Sequence, residues 1–182
     1  METKKRIIIV GAGFGGLTLA EDLENSGYEI YLIDKNNYHQ FQPLMYQVAT
    51  ARLEPSSISF PLRKVFQGSK NVKIRIADVL SVDTQNKILT TSIENFSYDY
   101  LVFAFGCKTN YFGNKNLEKL AFPMKSVPEA IQLRNRILQT FEEAVSTKEE
   151  DLQYLLNFVI VGGGPTGVEL AGALAEMKKN VL

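Results

Sequence analysis

The stretch RIIIVGAGFGG, residues 6–16, decides the fold of this 182-residue chain. Arg6 to Val10 is a continuous β-branched run without alternation, which predicts a strand buried on both faces of a parallel sheet. A GxGxxG turn follows, and its glycines are Gly11, Gly13 and Gly16. Apolar residues then recur at helical spacing, before a second predicted strand from Glu29 to Ile33. The sequence therefore predicts a βαβ unit.

The three glycines have separate tasks in a turn of this kind. The first permits the tight turn, the second lets the backbone approach a pyrophosphate, and the third lets the helix pack against the strand. Asp34 closes the second predicted strand, where an acidic residue accepts ribose hydroxyls and rejects a 2′-phosphate. The alternative is a Gly-rich loop that only turns a corner, with Asp34 as a surface acid. The complete βαβ context favours a dinucleotide site.

The same arrangement recurs near the end of the sequence. Phe158 to Val161 predicts a buried strand, GGGPTG follows it, and Thr166 to Lys178 has the apolar spacing of a helix. The glycines of this second pattern are Gly162, Gly164 and Gly167. Unless the repeat is chance, two such turns indicate two dinucleotides, usually a flavin and a nicotinamide. The chain stops at Leu182, so we expect this second unit to be incomplete.

The region between the two turns contains shorter strand patterns and one long helix pattern. We predict an antiparallel meander from three β-prone runs, Lys73 to Val82, Lys87 to Thr91 and Ile93 to Phe96. Tyr100 to Phe105 predicts another buried strand, which Gly106 ends, and Pro128 is placed as the first residue of a helix. The segment Asn36 to Pro61 lacks periodicity and is too long for an ordinary connection, so we interpret it as a binding segment.

These elements predict an α/β fold. Its first part is a Rossmann-like nucleotide-binding domain with a parallel sheet and an antiparallel β-meander, and its last part is the first β-turn-α of a second, incomplete nucleotide-binding domain. The predicted boundaries are residues 1–115 for the first domain, 116–151 for a connecting helix region and 152–182 for the start of the second domain.

Composition excludes some function classes. Lys and Arg total 20 against 20 Asp and Glu, so no net field attracts nucleic acid or an anionic membrane. The single cysteine, Cys107, excludes an internal disulfide and a CxxC redox pair, and we expect it to pack as a small apolar residue. The short apolar N-terminus belongs to a strand rather than to a signal peptide, and no apolar run is long enough to cross a bilayer. We therefore predict a cytoplasmic location and no metal site.

Five segments carry a family resemblance. They are GAGFGG, IDKNNYHQFQPLMYQVATARLEP, YDYLVFAFGCKTNYFG, FPMKSVPEAIQLRNRI and FVIVGGGPTGVELAGALAEM. Together they resemble the type II NADH dehydrogenases, which are single-chain flavoprotein NADH:quinone oxidoreductases. The Gly-rich motifs are shared by all two-dinucleotide flavoproteins, whereas the NNYHxFxPLxYxVA and TNYFG segments discriminate this family. The resemblance covers essentially the whole chain, and it implies that the first domain binds FAD.

The resemblance also implies a role for individual residues. The FAD pyrophosphate would be held by Gly11, Ala12, Gly13, Phe14, Gly15 and Gly16. Asp34 and Lys35 would meet the adenosine. Val79 would contact the adenine through its backbone, and Gly106 would close the FAD site. The segment from His39 to Val48 would help to shape the flavin pocket. The NADH phosphates would be held by Gly162, Gly164 and Gly167.

Two ionisable residues have competing interpretations. The resemblance implies that Glu169 is catalytic, by orienting the nicotinamide or relaying protons at its contact with the flavin. A glutamate in the first turn of a helix is, however, favoured by the helix dipole whatever its function. His39 is the only imidazole, and we interpret it as a hydrogen-bonded structural residue rather than a proton carrier.

The implied function is transfer of hydride from NADH to FAD and of electrons on to a quinone, without proton pumping. Two alternatives stay open. One is the same fold with a different electron acceptor, and the other is an FAD-binding fragment without turnover, which we expect of the chain as it stands.

The expected partners follow from the same resemblance. We expect a quinone as the electron acceptor and no binding of nucleic acid. We also expect a homo-oligomer. It would associate only peripherally with the cytoplasmic face of the membrane, through a region after Leu182. We also expect the residues after about Asp151 to be disordered, displaced or packed against another copy. The reason is that the predicted Phe158 to Val161 strand and the helix face of Val168, Ala171 and Leu174 lack partners.

Overall fold

The computed structural model describes residues 4–181, and the side chains of residues 4–179. Its strands are β1 (Arg6–Val10), β2 (Glu29–Asp34), β3 (Tyr38–Gln40), β4 (Ser59–Pro61), β5 (Val72–Ile76), β6 (Val79–Asp83), β7 (Ile88–Thr91), β8 (Asn95–Ser97) and β9 (Tyr100–Phe103). Its α-helices are α1 (Phe14–Asp22), α2 (Met45–Ala49), α3 (Leu62–Val65), α4 (Lys115–Leu120), α5 (Val127–Val145), α6 (Glu149–Leu155) and α7 (Pro165–Val181). Two 3₁₀ turns cover Gln42–Leu44 and Pro55–Ile58.

The chain forms two compact units. The first comprises residues 1–39 and 60–107, and the second comprises residues 40–59 and 108–182. Within residues 4–181, none of the helices combines the length and the apolar character that spanning a bilayer requires.

A parallel four-stranded sheet organises the first unit. Its strand order is β5-β2-β1-β9, so β1 lies between two neighbours and forms parallel ladders with both. The two faces of β1 feed separate cores: Ile7 and Ile9 pack in a cluster that includes Ala20 of α1, whereas Ile8 and Val10 pack towards the meander. Ile8 and Ile9 are completely buried. The predicted strand, buried on both faces, is confirmed.

The meander starts later than the sequence predicted. The run Lys73 to Val82 was assigned to one antiparallel segment, but the chain divides it at Ala77 and Asp78. The first part, β5, pairs in parallel with β2, and only β6 joins β7 and β8 in the antiparallel sheet. The prediction failed because β5 is an edge strand whose alternating burial also fits an antiparallel strand.

Three cationic side chains lie near the ring of Tyr31 in β2, a strand of the parallel sheet. Arg6, Lys73 and Arg75 place their charged groups 5.1, 5.4 and 5.3 Å from the ring centroid. Glu29 compensates two of these charges, because its carboxylate accepts hydrogen bonds from Lys73 Nζ at 2.5 Å and Arg6 Nε at 2.9 Å. The hydrogen bond from Lys73, together with that from Arg6, holds the pKa of Glu29 below its ordinary value of 4.5.

The long helix α5 is the main element of the second unit. Its start is set by a capping box: the Ser126 hydroxyl accepts the Glu129 N–H, and the Glu129 carboxylate accepts the Ser126 N–H. The helix therefore begins at Val127, and Pro128 is its second residue rather than the first as predicted. Ile137 and Phe141 of α5 are buried together with Met177 of α7.

The segment Phe158 to Val161 differs from its prediction as a buried strand. It belongs to no strand, and Val159 and Val161 are exposed. A strand needs a paired neighbour, and no strand among residues 4–181 pairs with this segment. The turn and the helix after it are formed, the helix over Pro165–Val181. Leu174, predicted to lack partners, packs against the core of Ile137, Phe141 and Met177, whereas Val168 is exposed.

The Glu29 ion pairs predict how stability depends on pH. A carboxylate whose pKa is lowered by folding stabilises the folded chain at pH values above its unfolded pKa. That stabilisation is lost as pH falls from about 4.5 through the lower pKa of the folded state. Glu29→Gln should therefore be less stable than the parent chain in urea unfolding at pH 7, and the difference should shrink towards pH 3.

Glu94→Gln is the matched control for this measurement. Glu94 also faces an arginine, Arg75, but at 3.5 Å and with 54% of its side chain exposed, against 23% for Glu29. Surface pairs of this kind contribute about 0–1 kcal/mol, so the Glu94 variant should lose less stability at pH 7. A constant difference between Glu29→Gln and the parent from pH 7 to pH 3 would contradict the assignment.

Candidate nucleotide-binding turns

The first Gly-rich turn lies at the carboxyl end of β1. Gly11 has a φ of +102°, a conformation that side chains rarely adopt, and its N–H donates to the Ile33 carbonyl of β2 at 2.7 Å. A Cβ at Gly11 would lie 2.5 Å from the Ala104 carbonyl oxygen, just after β9. The backbone after β9 therefore leaves no room for a side chain at this position, and only glycine fits it.

Gly16 closes the packed side of the same turn. A Cβ at this position would overlap the Gly11 carbonyl oxygen and lie 3.2 Å from the Ala104 side chain. Helix α1 can approach β1 because this methyl group is missing. The Leu17 N–H then donates to the Gly13 carbonyl at 2.9 Å, which begins the helical hydrogen bonds. The role predicted for the third glycine, close packing of helix on strand, is the one this geometry requires.

Gly13 and Gly15 lie on the open side of the turn. A Cβ at Gly13 would meet only the Ala104 carbonyl oxygen, at 4.0 Å, and a Cβ at Gly15 would meet nothing within 4 Å. Gly13 is the N-cap of α1, and no side chain caps the helix. This end of α1 therefore offers backbone donors and a partial positive charge. The turn has one packed side and one side that can take an anion.

Asp34 is tied to the turn through the backbone. Its two carboxylate oxygens accept the N–H of Ala12 and the N–H of Asn36, each at 2.7 Å. The carboxylate at the end of β2 thus lies beside the second residue of GAGFGG, and its contact with ribose hydroxyls stays a prediction. Its hydrogen bond to Ala12 was not predicted, because a fixed sequence spacing does not show which backbone group a side chain will reach.

His39 also contacts Ala12, through the carbonyl group rather than the N–H. Its Nδ1 lies 2.9 Å from the Ala12 carbonyl oxygen, and its ring meets the Phe14 ring edge-on at 5.3 Å. The imidazole is buried. The prediction that His39 is a hydrogen-bonded residue is confirmed, but its partner in the Gly-rich turn was missed. No signal in the sequence links the two, since they are joined only through the fold.

The other residues assigned to FAD lie on three different elements of the first unit. Lys35 is exposed directly after β2, and Gly106 is exposed with a φ of +68° after β9. Val79 is the first residue of β6, where it pairs with Thr91 and packs against the core of Ile8 and Val10. Their contacts with a cofactor stay predictions. Cys107 is exposed, so the expectation that it packs in the interior is wrong.

The second Gly-rich turn repeats the backbone of the first. Gly162 has a φ of +112°, and a Cβ at Gly167 would overlap the Gly162 carbonyl oxygen. The Val168 N–H donates to the Gly164 carbonyl at 3.1 Å, as the Leu17 N–H does to Gly13. The two turns differ in one respect: a Cβ at Gly162 would meet nothing within 4 Å, and no strand among residues 4–181 pairs with the segment before it.

Glu169 follows this second turn and is exposed. The helix begins at Pro165, so Glu169 is its fifth residue and does not lie in the first turn, as the sequence had predicted. The helix dipole therefore stabilises a carboxylate at this position only weakly, since its effect falls off beyond the first turn. The structure leaves its catalytic role as a prediction.

The segment Asn36 to Pro61, interpreted from the sequence as a binding segment, contains short strands, two 3₁₀ turns and helix α2. In the second unit its apolar residues Met45, Val48, Ala49 and Ile58 are buried. The Gln40 side chain accepts the Val127 N–H at 3.2 Å and donates to the Lys125 carbonyl at 3.4 Å. The Gln40 amide thereby hydrogen-bonds to the backbone on both sides of Ser126, at the start of α5.

Among residues 4–181, no cluster of three or more His, Cys, Asp and Glu is placed to hold a metal ion.

Comparison with known proteins gives consistent matches along the whole chain. The family model for pyridine nucleotide-disulphide oxidoreductases matches residues 5–182. The type II NADH:quinone oxidoreductase NdhA of Mycobacterium tuberculosis is 39% identical over 98% of this chain. The mitochondrial external alternative NAD(P)H-ubiquinone oxidoreductase B1 of Solanum tuberosum is 33% identical over 95% of it. The chain spans 39% and 32% of the lengths of these two relatives.

A solved structure agrees with these sequence matches. It is the structure of NDH2 from Plasmodium falciparum in complex with NADH, and it superposes with a TM-score of 0.90 at 28% identity. The superposition covers 98% of this chain and 38% of that chain. The predicted fold class, a Rossmann-like α/β domain with a parallel sheet and an antiparallel meander, is confirmed.

The packed and open sides of the first turn predict opposite effects for two neighbouring substitutions. Gly16→Ala forces a methyl group into the Gly11 carbonyl, so it should lower the free energy of unfolding by about 1–3 kcal/mol. Gly15→Ala meets open space in the first turn of α1, so its free energy of unfolding should stay within about 0.5 kcal/mol of the parent or rise. Urea unfolding of the flavin-free chain measures both, and equal losses would contradict the geometry.

Proposed function

The chain belongs to the pyridine nucleotide-disulphide oxidoreductase family, and from this premise we infer that its first Gly-rich turn is the pyrophosphate end of an FAD site. The observation that carries the proposal is the division of that turn into a packed and an open side. Gly11 and Gly16 are closed by backbone contacts, while Gly13 and Gly15 leave the start of α1 uncovered. A diphosphate fits this arrangement because helical N–H groups and the helix dipole favour anions there.

The residues proposed to hold FAD all lie in the first unit. They are Gly11, Ala12, Gly13, Phe14, Gly15, Gly16, Asp34, Lys35, Val79 and Gly106. Asp34 would accept ribose hydroxyls with lone pairs that its bonds to Ala12 and Asn36 leave available, since each carboxylate oxygen can accept more than one hydrogen bond. When bound, FAD would accept hydride equivalents from NADH and pass electrons to the acceptor.

The second turn is proposed to hold the phosphates of NADH through Gly162, Gly164 and Gly167. Its support is the geometry it shares with the first turn, together with relatives that are named as NADH or NAD(P)H oxidoreductases. The chain's own contribution would be to bind and orient the nicotinamide nucleotide. Glu169, exposed one turn into α7, is proposed to orient the nicotinamide or to relay a proton near it.

For the whole protein we propose oxidation of NADH with a quinone as the electron acceptor, without proton pumping. The named relatives support this activity, and they extend well beyond the residues of this chain. By itself the chain is proposed to bind FAD without turning over. We also propose that the whole protein is a homo-oligomer attached peripherally to the cytoplasmic face of a membrane. The proposed domain limits are residues 1–115, 116–151 and 152–182.

A substitution of Gly13 tests the FAD site directly. Its φ of −72° is open to alanine, and a methyl group there has no neighbour closer than 4.0 Å, so Gly13→Ala should fold normally. The methyl group would, however, occupy the side of the turn proposed for the pyrophosphate. We expect FAD affinity to fall by about tenfold or more, measured by titration with FAD and flavin fluorescence.

Gly27→Ala is the control for that titration. Gly27 is exposed in the loop after α1, and a Cβ there meets nothing within 4 Å. Its FAD affinity should match that of the parent chain. If the parent chain takes up no FAD, or if Gly13→Ala binds FAD as tightly as the parent, the proposed site is wrong.

The role of Glu169 is tested in the full-length protein. Glu169→Gln keeps the size of the side chain and removes its charge, so FAD should stay bound while kcat with NADH and a quinone falls by about tenfold or more. Glu176→Gln on the same helix is the control; Glu176 pairs with Arg52 and should leave kcat unchanged. Equal kcat values for Glu169→Gln and the parent would remove Glu169 from the reaction.

A further inference from the structure

Two side chains hold consecutive peptide units of the first Gly-rich turn. The Ala12 N–H, in the Gly11–Ala12 peptide, donates to Asp34 Oδ2 at 2.7 Å. The Ala12 carbonyl, in the Ala12–Gly13 peptide, lies 2.9 Å from His39 Nδ1. Ala12 and His39 are both buried, with 2% and 6% of their surfaces exposed. Two consecutive peptide units of the turn are therefore each held by a side chain, and water competes little for the buried contact with His39.

The second contact shows which ring nitrogen of His39 carries a hydrogen. A carbonyl oxygen can only accept, so Nδ1 must carry the hydrogen and donate it. Neutral imidazole places its proton on Nε2 or on Nδ1, and the partner of one nitrogen selects the tautomer. The Ala12 carbonyl thus selects the Nδ1–H form of His39. The edge-on contact with the Phe14 ring limits rotation of the imidazole as well.

This hydrogen bond also orients the next N–H group in the turn. A trans peptide is planar, so its N–H points opposite to its C=O. Because the Ala12 carbonyl points to the His39 ring, the Gly13 N–H of the same peptide points away from that ring. Gly13 is the N-cap of α1 on the open side of the turn. The direction of one backbone donor on that side is therefore set by a side chain behind it.

We propose that His39 is a positioning residue of the FAD site, which acts by donating its Nδ1–H to the Ala12 carbonyl and so holding the Gly13 N–H towards the phosphates. The inference rests on the proposed FAD site for its ligand, whereas the hydrogen bond is a contact within the chain itself. His39 does not touch the reacting atoms in this role. Asp34 holds the preceding peptide in the same way, so the two side chains preorganise adjacent units of the turn.

The flavin-free chain offers a direct spectroscopic test. His39 is the only histidine, so ring ¹⁵N resonances of the labelled chain come from this residue alone. We expect the signature of a protonated Nδ1 in the neutral ring. A neutral ring with its proton on Nε2 would overturn the proposal. This measurement needs no substitution, so it does not depend on whether a variant folds.

Two variants test the consequence for binding. His39→Asn keeps an N–H donor near the position of Nδ1, whereas His39→Phe keeps an aromatic ring beside Phe14 and removes the donor. In FAD titrations we expect His39→Phe to bind about tenfold more weakly, since it leaves a buried carbonyl unpaired, and His39→Asn to stay within about threefold of the parent. The Gly13 amide resonance of the flavin-free chain should move in the phenylalanine variant and be restored in the asparagine variant.

The possible outcomes separate this inference from the function on which it rests. If the parent chain and His39→Phe bind FAD equally well, the positioning role is wrong and the FAD site stands. If the asparagine variant binds as weakly as the phenylalanine variant, the donor is not what matters, and the proposal is overturned. If the parent chain binds no FAD, the proposed function fails, while the tautomer and the Gly13 amide resonance still decide whether His39 orients the turn.

Discussion

The close approach of Gly16 to the Gly11 carbonyl is the constraint on which the rest of the first unit depends. Any side chain at Gly16 would overlap that oxygen, and any side chain at Gly11 would overlap the backbone after β9. Helix α1 can therefore lie against β1 only while both positions lack a Cβ. In this arrangement β1 lies between β2 and β9, and the start of the helix lies beside the carboxyl ends of the strands.

The close contact between Gly16 and Gly11 closes one side of the turn and leaves the other side open. Its packed side is made of backbone and of Ala104, and its open side is left to Gly13 and Gly15. The two side chains that hydrogen-bond to the turn lie outside the motif: Asp34 at the end of β2 and His39 in β3. The proposed phosphate site would need no charged side chain of its own, because backbone N–H groups and the helix dipole favour an anion there.

Local sequence patterns were sufficient for the parts of the fold that are themselves local. The β-branched run of β1, the glycines of both turns, and the strand ending at Asp34 were predicted with nearly their observed limits, because each follows from periodicity or from backbone conformation. Features that depend on distant partners were not predicted. β5 joined the parallel sheet because β2 lies beside it, and Phe158 to Val161 formed no strand because no strand among residues 4–181 pairs with it. The convergence of Asp34 and His39 on Ala12 belongs to the same class, since only the folded chain brings them together.

The two Gly-rich turns place one backbone motif in two environments within a single chain. Gly11 and Gly162 have nearly the same φ, but the backbone after β9 crowds the first, and a Cβ on the second would meet nothing within 4 Å. Side chains at these two positions would meet the same conformational penalty, and only the first would meet a steric one as well. The chain thus contains its own reference state: the cost of a left-handed backbone can be separated from the cost of crowding by the neighbouring backbone, without recourse to a second protein.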